Sequence, residues 1–300
     1  MRVPIIHHPA FDAHFDEAHR FPMSKFSRIA EILVEDGVVP AGGFHVPAPA
    51  LPSWLRLAHD PLYVEQVLRQ RVPAAMEKAI GFAVDERVSM RSRCATGGTV
   101  LTARLALAVG LACSTAGGSH HAGRAGGAGF SVFNDVAVAA AVLLAGGDAA
   151  RILVVDCDVH QGDGTARIFA DEPRVFTLSL HGARNYPAEK AQSDWDVALA
   201  DDTGDAAYLE ALRSALRTAH QAARPDFVFY NGGVDPHAQD RLGRLALSDA
   251  GLAERDRTVI GFFRDRAVPV AAVLGGGYSR DIDALARRHT ILHRVAQEFG

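Results

Sequence analysis

The segment Asp156-Cys157-Asp158-Val159-His160-Gln161-Gly162-Asp163-Gly164 packs three carboxylates, an imidazole and two glycines into nine positions. It follows the apolar run Ile152-Leu153-Val154-Val155, which reads as a buried parallel strand. If the chain stays extended, Asp156, Asp158 and His160 project to one side. Buried carboxylates need an opposite charge. No Lys or Arg lies within the segment, so a divalent cation is the expected partner. Asp235, in Asn231-Gly232-Gly233-Val234-Asp235, is a further carboxylate at the end of another apolar run. Asp158, His160 and Asp235 make three protein ligands with one position open, the layout of a catalytic zinc. Mixed nitrogen and oxygen donors also suit Fe(II), Mn(II) or Co(II). The plainer reading of Asp235 is a turn residue before Pro236.

Acid–base groups are at hand. His120-His121, after Gly117-Gly118-Ser119, read as general base and general acid beside such a metal, or otherwise as a surface pair. Asp156 and Asp163 are the carboxylates left to fix their tautomers. Tyr278, behind Gly275-Gly276-Gly277, could donate its hydroxyl to an oxyanion, or be a core tyrosine. The three glycines lack the Lys and Ser/Thr of a phosphate-binding loop.

Strand ends must hold these groups together. Apolar runs at Leu111–Thr115, Ile152–Val155, Val175–Leu180, Phe227–Tyr230 and Val268–Leu274 each lead into a polar or glycine-rich stretch. Helical patterns intervene: Asp135–Leu144, capped by Asn134 or Asp135; Tyr208, Leu209, Leu212, Leu216 and His220; and Leu252, Val259, Ile260 and Phe263 after Ser248. The alternation predicts a three-layer α/β/α domain over residues 1–300 with a mostly parallel central sheet. Ligands of such sheets bind at the strands' carboxyl ends. Pro40 to Pro52 reads as a surface loop.

Composition narrows the class. The 300 residues are 48% hydrophobic and 22% charged, with net charge −4, and no Lys/Arg run offers a nucleic acid a footing. The longest wholly apolar stretch, Val136 to Ala145, falls short of a bilayer span. No secretory signal opens the chain, and Cys94, Cys113 and Cys157 show no CxxC spacing. A reducing cytoplasm is the expected location.

Taken together, Gly117-Gly118-Ser119-His120-His121-Ala122, Gly129-Phe130-Ser131, Asp156 through Gly164, Ser179-Leu180-His181 and Leu274-Gly275-Gly276-Gly277-Tyr278 resemble the histone deacetylase superfamily of metal-dependent amidohydrolases, with its arginase-like fold. Thr96-Gly97-Gly98-Thr99 and the stretch from Asn231 to Gly243 are most similar to the class IV branch. The resemblance runs from about His7 to the end. It implies zinc ligation by Asp158, His160 and Asp235. It makes His120 and His121 the catalytic histidines, with Asp156 and Asp163 as their partners, and Tyr278 the carbonyl-polarising phenol. It implies an acyl-lysine tunnel walled by Gly129, Phe130, Tyr186, Gly276 and Gly277. Ala188 stands where relatives have the glycine of an aromatic-Pro-Gly rim, and Ser131 where many have Cys. Arg20 resembles the arginine beneath the metal that lines an internal product channel. A potassium ion is implied near Asp156, Asp158, His160, Ser179 and Leu180.

The expected activity is zinc-dependent hydrolysis of N6-acyl-lysine in a peptide or protein. The class IV likeness implies a preference for long acyl chains, with room near the tunnel floor left by Gly126, Gly127 and Gly129. An amidohydrolase acting on small acylated amines, such as acetylpolyamines, shares every catalytic residue. A two-manganese ureohydrolase would need a second Asp-x-Asp set, where this chain has Asp235-Pro236-His237. A non-enzymatic acyl-lysine reader would not need the full set of ligands, histidines and Tyr278.

Overall fold

The computed structural model describes residues 2–16 and 18–300. Among these residues seven strands form one sheet: β1 (Ile5–Ile6), β2 (Leu111–Ser114), β3 (Ile152–Asp156), β4 (Val175–Gly182), β5 (Trp195–Leu199), β6 (Phe227–Asn231) and β7 (Val270–Val273). Their order is β1-β2-β7-β6-β3-β4-β5, and every pairing is parallel. The helices are α1 (Lys25–Glu35), α2 (Pro52–Ala58), α3 (Pro61–Leu68), α4 (Ala74–Ile80), α5 (Glu86–Val109), α6 (Asp135–Gly146), α7 (Asp163–Phe169), α8 (Asp205–Ala223), α9 (Asp249–Arg264) and α10 (Ile282–Gln297).

Strand alternation divides the core in two. Ile152, Val154, Phe227, Phe229, Ala271 and Val273 face one way, toward a core that takes in α5 and α6. Leu153, Val155, Val228, Tyr230, Val270 and Ala272 face the other, toward α1, α8, α9 and α10. Both faces are covered, which is why the inner strands read as unbroken apolar runs.

The five apolar runs all form strands, and the three helical patterns form α6, α8 and α9. Asn134 caps α6, its side chain accepting the Ala137 N–H at 3.0 Å; Ser248 caps α9 through the Gly251 N–H at 3.0 Å. The two edge strands carried no comparable signal. β1 is two residues long, and β5 is largely exposed, so neither shows an apolar run. Within 40–52 no strand or helix forms before Pro52 opens α2; His45 makes one bridge to Ile6.

One local expectation needs correcting. The chain does not stay extended past Asp156: β3 ends there and residues 158–160 bend. The bend is closed by side chains. Asp156 Oδ1 accepts the Asp158 N–H at 3.1 Å, and Asp158 Oδ1 accepts the His160 N–H at 2.9 Å. Such Asp-to-backbone bonds compete with the strand ladder and stop it.

Candidate active site and metal centre

The carboxyl ends of β2, β3, β6 and β7 converge where the strand order reverses, the expected place for a ligand in an open parallel sheet. Asp158 and His160 sit in the bend after β3, and Asp235 in the loop after β6. One donor atom from each lies within 4.8 Å of the others, and all three side chains are buried. His160 Nδ1 is 2.9 Å from Asp158 Oδ1 and 3.1 Å from Asp235 Oδ2. Backbone fixes the outer oxygens: Asp235 Oδ1 accepts the Val159 N–H at 2.8 Å and Asp158 Oδ2 the Gly276 N–H at 2.5 Å. A Cβ at Gly276 would fall 2.1 Å from Asp235 Oδ2, so only glycine allows that loop so close.

Two carboxylates and an imidazole, buried and converging, suit a divalent ion of intermediate softness. The electrostatics agree. Burial raises the Asp235 carboxyl to about 7, with the Asp158 charge adding to it, while Asp158 is held well below its usual range despite its own burial. Burial disfavours a charged His160, yet its bonds to Asp158 and Asp235 lift it to about 10. Positive charge is wanted at this point of the structure.

The paired histidines flank the triad, their ring centroids 4.1 Å apart. His120 Nδ1 is 2.6 Å from Asp156 Oδ2, and His121 Nδ1 is 2.6 Å from Asp163 Oδ1. Burial opposes charge on His120, but Asp156 and Asp158 outweigh it and raise the imidazole to about 9. For His121, burial and then the nearby His120 charge win over Asp163, and the group falls to about 4. A neutral His121 that donates through Nδ1 to Asp163 leaves Nε2 as a base. Asn231 Nδ2 donates to Asp156 Oδ1 at 3.0 Å, and Arg167 pairs with Asp163.

A cleft of about 320 Å³ opens onto this cluster, lined at its deep end by His121, His160, Gly129, Phe130 and Tyr278. A Cβ on Gly129 would fall 2.5 Å from His121 Cδ2. Tyr186 stands at the rim, half-exposed, with its ring edge-on to His121 at 4.8 Å. Tyr278 is buried, its ring 6.1 Å from that of His160, and its N–H is held by Asp240 Oδ2 at 2.7 Å.

Three expected placements differ. Arg20 is exposed at the outer cleft, 5.8 Å from the Phe130 ring, not enclosed beneath the Asp158–His160–Asp235 triad. That inner position belongs to Lys25 and Arg91, which share a pocket of about 30 Å³ with His120, His121, Asp158, Gly276 and Tyr278. Lys25 Nζ donates to the Gly277 carbonyl at 3.2 Å, and burial draws its ammonium down to about 8. Arg91 donates to the Phe11 carbonyl at 3.0 Å. Lys25 had a signal of its own: at helical spacing it shares the buried face of α1 with Ile29 and Ile32. Secondly, Gly277 turns from the cleft toward Val234 and His289, while Gly276 borders the inner pocket. Thirdly, Gly126 and Gly127 leave no room at the floor. A Cβ there would strike Met76, or Ser131, Ile80 and Tyr63, within 2.8 Å.

Residues 19–294 match the family model described as the histone deacetylase domain. The chain is 44% identical over 298 residues to an uncharacterized protein of Picosynechococcus sp., covering 99% of both. It is 29% identical to histone deacetylase 2 of Arabidopsis thaliana, covering 93% of this chain and 75% of that one. It is 27% identical to the acetoin utilization protein AcuC of Bacillus subtilis, covering 80% of this chain and 68% of that one. The crystal structure of the HDA15 HD domain superposes with a TM-score of 0.83 at 23% identity, covering 99% of this chain and 89% of that one, which establishes the fold. With its all-parallel arginase-like α/β architecture and this match over nearly its whole length, the chain belongs to the histone deacetylase family of hydrolases.

Proposed function

We propose that this protein removes short acyl groups, acetyl foremost, from N6-acyl-lysine. The observation that carries the reading is the buried Asp158–His160–Asp235 triad set beside the His120–Asp156 and His121–Asp163 pairs at the foot of one cleft. We assign zinc to the triad. There it would act as a Lewis acid on the acyl carbonyl and make a water more acidic. His121 takes the water proton at Nε2, with Asp163 holding its tautomer. His120, charged against Asp156, steadies negative charge developing beside it. The Tyr278 hydroxyl donates to the tetrahedral oxygen. The proton taken by His121 then passes to the leaving lysine amine. Gly129, Phe130 and Tyr186 wall the lysine stem. Lys25 and Arg91 receive the carboxylate product in the inner pocket, the role first expected of Arg20. We assign potassium to the buried group Asp156, Asp158, His160, Ser179 and Leu180, where Asp156 and Ser179 are neighbours across β3 and β4.

The test is hydrolysis of a fluorogenic acetyl-lysine peptide by the zinc-loaded protein, the chelated protein and Asp235→Asn. Turnover that requires metal and Asp235 supports the reading. Turnover that survives chelation and Asp235→Asn sinks it.

A further inference from the structure

The outer part of the same cleft carries charge of one sign. Arg20, Lys78, Arg184 and Arg244 line it, and no Asp or Glu among the described residues does. This matters because the whole chain carries a net charge of −4, so the rim runs against the average surface. One carboxylate stands behind it. Asp201 Oδ2 accepts from Arg184 at 3.3 Å and from Arg244 at 3.2 Å. One anion shared by two guanidiniums leaves one positive charge over, and both keep much of their surface in water, 72% and 49% of the side chains exposed. Their forks are therefore held in place with donors to spare. Behind the rim lie His121, His160 and Tyr278, so a substrate in mid-reaction has its acyl end inside and its remaining bulk against these cations.

We infer that the enzyme selects acyl-lysine in an acidic setting: a peptide segment with Asp or Glu flanking the modified lysine. The inference rests on the lysine-deacylase reading above and names its substrate class. Basic tails and acetylpolyamines bring positive charge to a positive rim, so the arrangement discriminates against both. Single-sign clefts raise the local concentration of oppositely charged ligands and disfavour like-charged ones. Exposed pairs are individually weak, so selectivity needs several acting together and fades with salt.

Three peptides with a central acetyl-lysine decide it, flanked by Asp/Glu, by Ala/Gly or by Lys/Arg. At low salt, kcat/KM should favour the acidic over the basic peptide by roughly tenfold, about 1.4 kcal/mol. The difference should shrink severalfold at about 0.5 M salt, where the screening length is only a few ångströms. In the double variant Arg184→Gln/Arg244→Gln the acidic-to-neutral ratio should fall toward one. A ratio is unaffected by the fraction of variant that folds. Equal rates on all three peptides, or preference for the basic one, would overturn the inference while leaving the deacylase reading intact. If none is hydrolysed, the deacylase reading fails. Fluorescence anisotropy of the labelled peptides then decides the rim alone: tighter, salt-sensitive binding of the acidic peptide upholds it, and no ordering overturns it.

Discussion

The Arg255 guanidinium donates through Nη1 to the Gly233 carbonyl at 2.5 Å, two residues before Asp235. The same nitrogen reaches the Cys157 carbonyl at 3.3 Å, one residue before Asp158. One fully buried side chain thus ties together the two loops that carry the carboxylates of the triad. Asp256 neutralises it, accepting from Nε at 3.0 Å and Nη2 at 2.8 Å, and Tyr230 donates to that carboxylate at 2.5 Å.

Removing Arg255 outright would strand Asp256 as a buried, unpaired charge, a cost of about 3–5 kcal/mol. Arg255→Lys is the informative variant. A single ammonium cannot copy the fork that serves both Asp256 and the loop carbonyls. The folded variant should bind metal about 10–100-fold more weakly, the usual effect of losing an outer support. Metal titration by calorimetry reads this directly, and wild-type affinity in the folded variant would leave Arg255 as a core ion pair alone.

Tyr278→Phe should keep the fold and the metal and lose turnover. Loss of one oxyanion donor typically costs about 100 to 1,000-fold in kcat. On the proposed mechanism KM should change far less, because the hydroxyl would act on charge present only in the transition state. Steady-state kinetics with a metal assay on the same sample check both halves. A kcat near wild type would make Tyr278 a packing residue against Phe21 and Phe130.

His59 predicts acid sensitivity of the fold. Its Nε2 accepts the Asn134 N–H at 3.0 Å, so its Nδ1 carries the proton and donates to the Gly123 carbonyl at 2.9 Å. Burial lowers its pKa from 6.5 to about 4, against the raising effect of the Gly123 and Arg124 carbonyls. Above pH 6.5 neither the folded nor the unfolded chain holds the extra proton, and the full contribution is present. As pH falls from 6.5 toward 4, the unfolded chain takes up a proton that the folded one refuses, and stability declines. The loss amounts to about 3 kcal/mol at most. Thermal melts of wild type should fall between pH 7.5 and 5. His59→Gln retains an acceptor for Asn134 and should show a shallower fall. Parallel curves would acquit His59.

Much of the site was legible because its donors come in short runs at strand ends. Asp158 and His160 are two residues apart, and Asp156, two residues before them, closes the strand that delivers them. The apolar runs located those strand ends without any knowledge of packing. What stayed hidden depends on tertiary approach. Lys25, Arg91 and Arg255 arrive from α1, α5 and α9, each donating to a backbone carbonyl at least 22 residues away. Arg20 was misplaced for the same reason: sequence puts it five residues from Lys25, but only the fold shows that α1 turns Lys25 inward and leaves Arg20 outside. The glycines of 126–129 were read as space. In the folded chain they are points of contact, which is the opposite use of a missing side chain.

That difference bears on acyl length. Each buried methylene contributes about 0.8 kcal/mol, so a long chain would be strongly selected if an apolar extension lay beyond the triad. The inner pocket there is about 30 Å³. That is room for roughly two waters, at the ~10–15 Å³ that holds one. Phe21, Phe26 and Phe130 line it, and Lys25 and Arg91 charge it. On the proposed deacylase reading, this space suits a small acyl group over a tetradecanoyl tail, and the two cations suit a small carboxylate product. The expected order of kcat/KM is acetyl over myristoyl by at least about tenfold on matched peptides, some 1.4 kcal/mol in transition-state binding. Lys25→Met/Arg91→Met should lower acetyl turnover by removing the carboxylate's partners, and added acetate should inhibit the double variant less than wild type. Equal or faster myristoyl hydrolysis would mean that Phe21, Phe26 and Phe130 swing aside on binding, and would restore the long-chain preference that the class IV motifs imply.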